Sequence, residues 1–208
     1  MHKVYSIKKK RYSKKYFVNF VDFTHDSLEL GLDVIMKFSI TKDTEIDDDI
    51  LQEAISEQSI KDTKLAAFNY VSYKPRSEYE VREKLRTKDY SQENIDLAIL
   101  FLYEFKLLDD EQFAQNFIEV NLRNKPSGKY KLLHELSKRG IDESLINNSI
   151  LEYYPEDNAL ELALLAAKKH LKKISYKPKE KQKKLVTDFL SRRGFDWDTI
   201  NKATDKLL

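Results

Sequence analysis

The sequence predicts a mainly α-helical protein: three tandem three-helix units in an elongated, curved array, preceded by a small N-terminal module that contains a β-hairpin. Glycine and proline occur only four times each in 208 residues, which favours long helices over a turn-rich β fold. A helix-stop motif also occurs three times, and the prolines that precede the copies, Pro75, Pro126 and Pro178, lie 51 and 52 residues apart. This regular spacing is typical of a tandem array in which each unit buries its apolar face on its neighbours.

The central copy of the motif occupies residues 126–146, where one helix ends and the next begins almost at once. Gly140 stops the first helix if it takes the left-handed conformation that follows a helix end. Leu136 and Ile141 are then the apolar pair that closes a Schellman stop. Asp142 follows as the N-cap of the next helix. The sequence therefore predicts a tight helical corner with almost no linker.

The other two copies repeat this corner before and after the central one. Leu190 and Gly194 take the places of Leu136 and Gly140 in the third copy. Leu85 and Asp89 take them in the first copy, where an aspartate stands in the position of the glycine. Aspartate is one of the few residues besides glycine that tolerate the left-handed conformation. We therefore expect the backbone to turn in the same way at all three corners.

The N-terminal module is predicted to span residues 1–46. Residues 4–7 and 16–23 are rich in β-branched and aromatic side chains, as strands are. The basic segment between them, KKKRYSKK, would be an exposed hairpin tip. Apolar residues between Leu28 and Met36 indicate a short helix after the hairpin. A module of this size is too small to be stable alone.

The remaining chain divides into helical repeats at 47–106, 107–154 and 155–208. The first begins with a helix that reaches toward Tyr73, with a possible interruption at 60–63. Later helices are predicted over 77–88 and 92–105, from Asp109, over 143–153, along the apolar stripe Leu160, Ala163, Leu164, Ala167 and Leu171, and twice after Pro178.

Composition excludes several classes of protein. Without cysteine there are no disulfides and no thiolate metal sites. No apolar run approaches the roughly 20 residues of a membrane span, and the basic N-terminus lacks the apolar core of a signal peptide. We therefore expect a cytoplasmic protein that does not contact a membrane.

Charge is distributed in blocks that the net charge of +2 hides. Residues 3–15 carry seven basic residues and no acid, residues 43–62 carry eight acids, and residues 168–184 carry nine lysines. Blocks of one sign create local fields.

No constellation for catalysis stands out. The glycines are isolated and no GxxxxGK occurs, so a phosphate-binding loop is excluded. The acids at 109–111 suit a helix start better than a metal cluster, and neither His134 nor His170 has the spacing of a zinc site. The many tyrosines and phenylalanines fall mainly at core positions. We expect no enzyme activity and no cofactor.

The strongest binding candidates are Lys168, Lys169, Lys172 and Lys173, which form one basic flank of a helix. A surface for nucleic acid or an acidic partner is slightly favoured over a merely solvated face, because solvated faces usually mix both signs of charge. Further candidates for contact with a partner or DNA are Lys177, Lys181, Lys184, Arg76, Arg82, Lys84, Lys129, Lys131, Lys8, Lys9, Lys10 and Arg11. Helix-end roles are sufficient to explain several of these.

Four segments in this order and spacing resemble the RecX family, the bacterial regulators of the RecA recombinase: PRSEYEVREKL, DDEQFAQNF, the central corner and FLSRRGF. The resemblance covers the chain from about Ala66 to its end, and the N-terminal segment more loosely. Lys129 departs from the family, which often has proline there, and Asp89 stands where glycine is more comfortable.

The resemblance implies a protein that binds the groove of the RecA–DNA filament, with possible direct DNA contact, and we expect it to be a monomer. It would modulate, and in our expectation inhibit, strand exchange, ATP hydrolysis and coprotease activity in DNA repair and recombination. Two alternatives remain open: a DNA-binding protein that acts without RecA, and a helical-repeat scaffold for an unrelated protein.

Overall fold

A computed structural model describes residues 1–21 and 27–208 of the chain, apart from the side chain at position 156. The described residues form ten α-helices and four strands. By contacts they divide into a first compact unit, residues 1–72 and 84–105, and a second, residues 73–83 and 106–208. The prediction of a mainly helical chain with a small strand-containing N-terminal module is confirmed, whereas the boundaries drawn from the sequence stay predictions.

The N-terminal sheet is antiparallel, with the strand order β3-β2-β1-β4. The hairpin is confirmed by the pairing of Ile7 with Val18. The assignment of Leu28 to a helix was wrong, because Leu28 pairs with Val18 in a third strand. The second strand ends at Phe20, so Val21 was wrongly included in it, and residues 22–23 of the predicted strand fall outside the described residues. The strands are β1 (His2–Lys9), β2 (Lys15–Phe20), β3 (Leu28–Gly31) and β4 (Glu45–Ile46).

The sheet shares its core with two helices, α1 (Leu32–Lys37) and α2 (Asp48–Tyr73). Val4 and Val18 of the sheet belong to one buried cluster with Leu51 of α2. Packing on the two helices buries apolar surface that a sheet of this size could not bury by itself. Polar contacts join the same elements, since Lys15 pairs with Asp62 at 2.5 Å.

Helix α2 is continuous for 26 residues, so the interruption expected at residues 60–63 was wrong. Thr63 is fully buried, and its hydroxyl donates a hydrogen bond to the carbonyl of Ser59 at 2.8 Å. This hydrogen bond within α2 satisfies the threonine hydroxyl without interrupting the helix.

Eight further helices follow, and four of them begin at a predicted cap. Ser77 and Glu80 form a capping box, in which each side chain accepts from the backbone N–H of the other. Asp109, Asp142 and Asp196 each accept a backbone N–H bond at a helix start. The helices are α3 (Glu78–Arg86), α4 (Gln92–Glu104), α5 (Asp110–Asn124), α6 (Lys129–Ser137), α7 (Glu143–Tyr153), α8 (Ala159–Ile174), α9 (Lys179–Arg192) and α10 (Trp197–Leu207).

The three predicted corners are confirmed by their backbone angles. Gly140 has φ 68°, Gly194 has φ 77° and Asp89 has φ 59°. At the central corner the N–H of Ile141 bonds to the carbonyl of Leu136 at 3.3 Å, and the N–H of Gly140 bonds to that of Ser137 at 2.9 Å. These are the two bonds of a Schellman stop. Phe195 and Gly194 make the corresponding pair of bonds at the third corner.

Within the second compact unit, each of the later corners packs on the start of an earlier helix. The hydroxyl of Ser77, before α3, donates to the carbonyl of Arg139 at 2.6 Å. The N–H of Gly128, before α6, donates to the carbonyl of Arg193 at 2.8 Å. Ser77 and Gly128 occupy the same position of the repeat, as do Arg139 and Arg193. The repeat therefore encodes two joints between a helix start and a later corner, Ser77–Arg139 and Gly128–Arg193, as well as the helix stops.

Candidate nucleic-acid interface

Helix α8 carries the four lysines that the sequence analysis singled out. One face of the helix is buried through Ala163, Ala167 and Ile174, so it packs in the core of the third repeat. The side chains at the other flank, Lys168, Lys169, Lys172 and Lys173, are exposed. Among the described residues, no acid pairs with any of the four. Their contact with a partner stays a prediction.

Two of the four lysines border a cavity of about 150 Å³ in the second compact unit. The cavity lies where the end of α5 and residues 125–126 meet α8 and the end of α9. None of the described acidic side chains lines it. The lining residues are Asn124, Lys125, Pro126, Ala166, Lys169, His170, Lys173, Phe189 and Arg193.

Arg193 is held in place in this cavity by both its backbone and its side chain. Its carbonyl accepts the hydrogen bond from the backbone N–H of Gly128. Its guanidinium lies 5.1 Å from the ring centre of Phe189, and one of its nitrogens donates to the carbonyl of Lys125 at 3.4 Å. The charge is therefore fixed at the wall of the cavity.

His170 forms part of the same wall and reports on its charge. The imidazole stacks on Phe189, with the ring centres 4.2 Å apart and the planes 2° from parallel. Burial lowers the pKa of His170, and the positive charges of Arg192, Lys173 and Arg193 lower it further. The imidazole thus lies in a positive field.

Several other predicted candidates are occupied by local contacts. Arg82 pairs at 2.6 Å with Glu78, four residues before it, and Arg76 lies 3.9 Å from Glu80, four residues after it. These ion pairs give Arg76 and Arg82 a structural role near the start of α3.

The other basic candidates do not line the cavity. Lys84, Lys181 and Lys184 are exposed, whereas Lys177 is half-buried and lies over the ring of Tyr176. Lys129 lies over Tyr130, and the backbone of Lys131 packs against Gly194. In the first compact unit, Lys10 pairs with Glu29 at 2.5 Å, and Lys8, Lys9 and Arg11 are exposed.

Sequence reasoning missed Lys125, His170 and Arg193 as members of one site. Lys125 and Arg193 are separated by 68 residues, and the bond from Gly128 to the carbonyl of Arg193 brings their segments together. The sequence did carry one usable signal for this proximity. Arg139 and Arg193 occupy the same position in two copies of the repeat, so both are expected to meet the start of an earlier helix.

The acids at 109–111 take part in helix starts. Asp109 caps α5, and Asp110 accepts the N–H of Glu78 at 2.9 Å. Burial raises the pKa of Asp110, and the nearby acids Glu78, Asp109 and Glu80 raise it too, against the effect of the hydrogen bond.

The described residues include no helix that is long and apolar enough to cross a membrane.

Comparison with protein families finds three matching domain models in succession. They are the first three-helix domain of RecX at residues 64–102, the second at 109–150 and the third at 156–204. Each match contains one copy of the helix-stop motif. The prediction of three three-helix units is thereby confirmed.

Curated relatives and solved structures point to the same family. A regulatory protein RecX of Prosthecochloris aestuarii is 37% identical over 68% of this chain and 91% of its own length. One from Clostridioides difficile is 28% identical over 85% of this chain and 82% of its own length. A crystal structure of RecX from Lactobacillus salivarius has a TM-score of 0.61 at 26% identity, covering 72% of this chain and 96% of that one. A second crystal structure, of a regulatory protein RecX, has a TM-score of 0.69 over 99% of this chain and 100% of that one at 20% identity, and so supports the fold alone.

Proposed function

Since the chain belongs to the RecX family, we propose that it is a non-catalytic regulator that binds the RecA–DNA filament and lowers RecA activity. The observation that carries the proposal is the presence of all three family domains, in order, between residues 64 and 204. The curated relatives are named regulatory proteins, in keeping with control by binding.

The joints support a binding role rather than a chemical one. The hydroxyl of Ser77 and the backbone N–H of Gly128 each donate to the carbonyl of a later corner, so within the second compact unit two helix starts are fastened to later corners. A surface made of fastened repeats is suited to a partner that is itself repetitive. Binding alone then changes RecA activity, if the protein prefers one state of the filament to another.

The experiment compares one labelled oligo-dT strand in two forms, bare and coated with RecA in the presence of a slowly hydrolysed ATP analogue. Fluorescence anisotropy at about 0.15 M salt measures the affinity of the protein for each. We expect tighter binding to the coated strand, and a parallel fall in the RecA ATPase rate. Equal affinities for the two strands would reject the proposal.

The basic flank of α8 favours one second candidate, a DNA-binding protein that acts without RecA. Its affinity for the bare strand would equal that for the coated one and would fall steeply with salt, because each phosphate contact releases counterions. The same titration, repeated at two salt concentrations, separates the two functions.

A further inference from the structure

We propose that the cavity bordered by Lys125, Lys169, Lys173 and Arg193 is a seat for one phosphodiester group of a nucleic acid strand. The inference deepens the proposed function, on which it rests for the choice of nucleic acid as ligand. It assigns to one cavity a direct DNA contact that needs no RecA residue.

Charge is the first argument for an anionic ligand. The lining of the cavity includes four cationic residues and, within the described part of the chain, no acid. Like charges gathered at one place repel one another, and an anion at their centre relieves that repulsion. A merely solvated lysine face gives no reason to collect Lys125 and Arg193 from positions 68 residues apart.

Preorganisation is the second argument. The planar guanidinium of Arg193 has donors in a fork that matches two phosphate oxygens. Its contacts with Phe189 and with the carbonyl of Lys125 already restrict its rotamers. Binding therefore costs less side-chain entropy than at a free arginine.

The aromatic wall favours phosphate over base recognition. Phe189 is already contacted by His170 and by Arg193, so its ring does not offer an open platform for a nucleobase. Contacts to phosphate carry no sequence information. The site is thus expected to bind strands of any sequence.

Size and access favour a phosphate within a polymer. A cavity of about 150 Å³ has room for a tetrahedral oxyanion and some of its water, since one water takes roughly 30 Å³. Lys125, Lys169 and Lys173 are exposed, so the site is open enough for a phosphate that remains bonded on both sides. A free phosphate ion has the same chemistry and is therefore an arm of the test.

The test compares two double variants of one helix. Lys169→Gln/Lys173→Gln removes two cations from the cavity, whereas Lys168→Gln/Lys172→Gln removes two exposed cations of the same helix that do not line it. Both variants keep the helix-forming tendency, because glutamine and lysine have similar helix propensities. Circular dichroism and urea unfolding establish that both are folded.

Binding of bare labelled oligo-dT is measured for all three proteins over a range of salt concentrations. We expect the cavity variant to bind about tenfold more weakly, the size of loss that goes with charge-assisted hydrogen bonds. Its salt slope should fall by about 0.7, the value for one phosphate of a single strand. The control variant should lose no more than about twofold.

The imidazole of His170 gives a local readout by NMR. A bound phosphate offsets the positive field of Lys173, Arg192 and Arg193, so the strand should raise the pKa of His170 in the wild type and in the control variant. The rise should be much smaller in Lys169→Gln/Lys173→Gln.

Equal weakening by both double variants, or an unchanged His170 titration with strand bound, would overturn the inference. Inorganic phosphate that raises the pKa of His170 in the wild type but does not compete with the strand at constant ionic strength would also overturn it, in favour of a free-anion site. A wild type that does not prefer RecA-coated strands rejects the proposed function instead, and leaves a cavity-dependent affinity for bare DNA in place.

Discussion

Gly140 lies so close to Tyr79 that a β-carbon at Gly140 would come within 3.0 Å of the Cβ and Cγ atoms of the tyrosine. The glycine therefore meets two requirements at once. Its φ of 68° ends helix α6, and its lack of a side chain allows the corner to pack on the start of α3. Asp89 has a similar φ of 59° but is exposed, which explains why a residue with a side chain is tolerated at the first corner.

Replacing Gly140 by valine should destabilise the protein by at least about 1 kcal/mol from backbone strain. The overlap with Tyr79 should increase the loss, because the overlapping atoms lie at the root of the tyrosine side chain and cannot swing away. Urea unfolding monitored by circular dichroism measures the change. A valine variant as stable as the wild type would mean that the helix does not stop at this position.

Replacing Asp89 by glycine should have the opposite sign. The variant relieves a left-handed aspartate, and we expect a gain between a few tenths and about 1 kcal/mol, partly offset by the greater freedom of glycine in the unfolded chain. The same urea series measures it. A clear loss of stability would show that the aspartate side chain makes a favourable contact at this corner.

Ser77 is the polar side chain of the first joint, and its replacement by alanine should cost about 1–2 kcal/mol. The substitution removes the N-cap of α3 and leaves the carbonyl of Arg139 without its hydroxyl donor. Ser127→Ala is the matched control, because Ser127 is also buried but, among the described residues, its hydroxyl donates only to the carbonyl of Lys125, two residues away. Equal losses in the two variants, measured by denaturant unfolding, would argue against a joint.

The helical repeats were predictable because their signals are local. A Schellman stop needs only Leu136, Gly140 and Ile141 in the right order, and a cap such as Asp142 needs only the next few residues. The positive φ values and the cap bonds agree with these predictions. Features that depend only on neighbouring residues can therefore be predicted directly from the sequence.

Features that depend on tertiary contacts were missed. Leu28 looked helical because its apolar spacing fits a helix, yet its pairing with Val18 places it in a strand. Likewise, Thr63 does not break α2, because burial and a bond to Ser59 accommodate it. The cavity joins Lys125 to Arg193 only through the packing of one repeat on another.

Neutralising Asp110 should stabilise the protein at pH 7. Burial raises the pKa of Asp110 in the folded state above the ordinary value of 3.8, so proton binding favours folding. The contribution of this group is fully present below that value and is lost as pH rises through the folded-state pKa. Asp110→Asn avoids this loss, and its amide oxygen can still accept the N–H of Glu78.

We expect a gain of about 0.5 kcal/mol or less for Asp110→Asn at pH 7, because the carboxylate is partly screened by solvent. The difference from the wild type should shrink as the pH falls toward 4, as measured by thermal unfolding at several pH values. Asp109→Asn is the control, since it changes an exposed acid at the same helix start and should be neutral or slightly destabilising. An Asp110→Asn variant that is less stable than the wild type at pH 7 would contradict the expectation.

Reversing the charge of the whole basic flank of α8 should abolish binding to the RecA–DNA filament. Changing Lys168, Lys169, Lys172 and Lys173 to glutamate replaces four cations by four anions facing a polyanionic partner, and should also flatten the salt dependence of any residual binding. The apolar face of α8 is unchanged, although acids in the last turn of a helix are unfavourable. The matching glutamine variant avoids that cost and should show a weaker form of the same defect. A folded glutamate variant that still inhibits the RecA ATPase like the wild type would assign this flank to solvent.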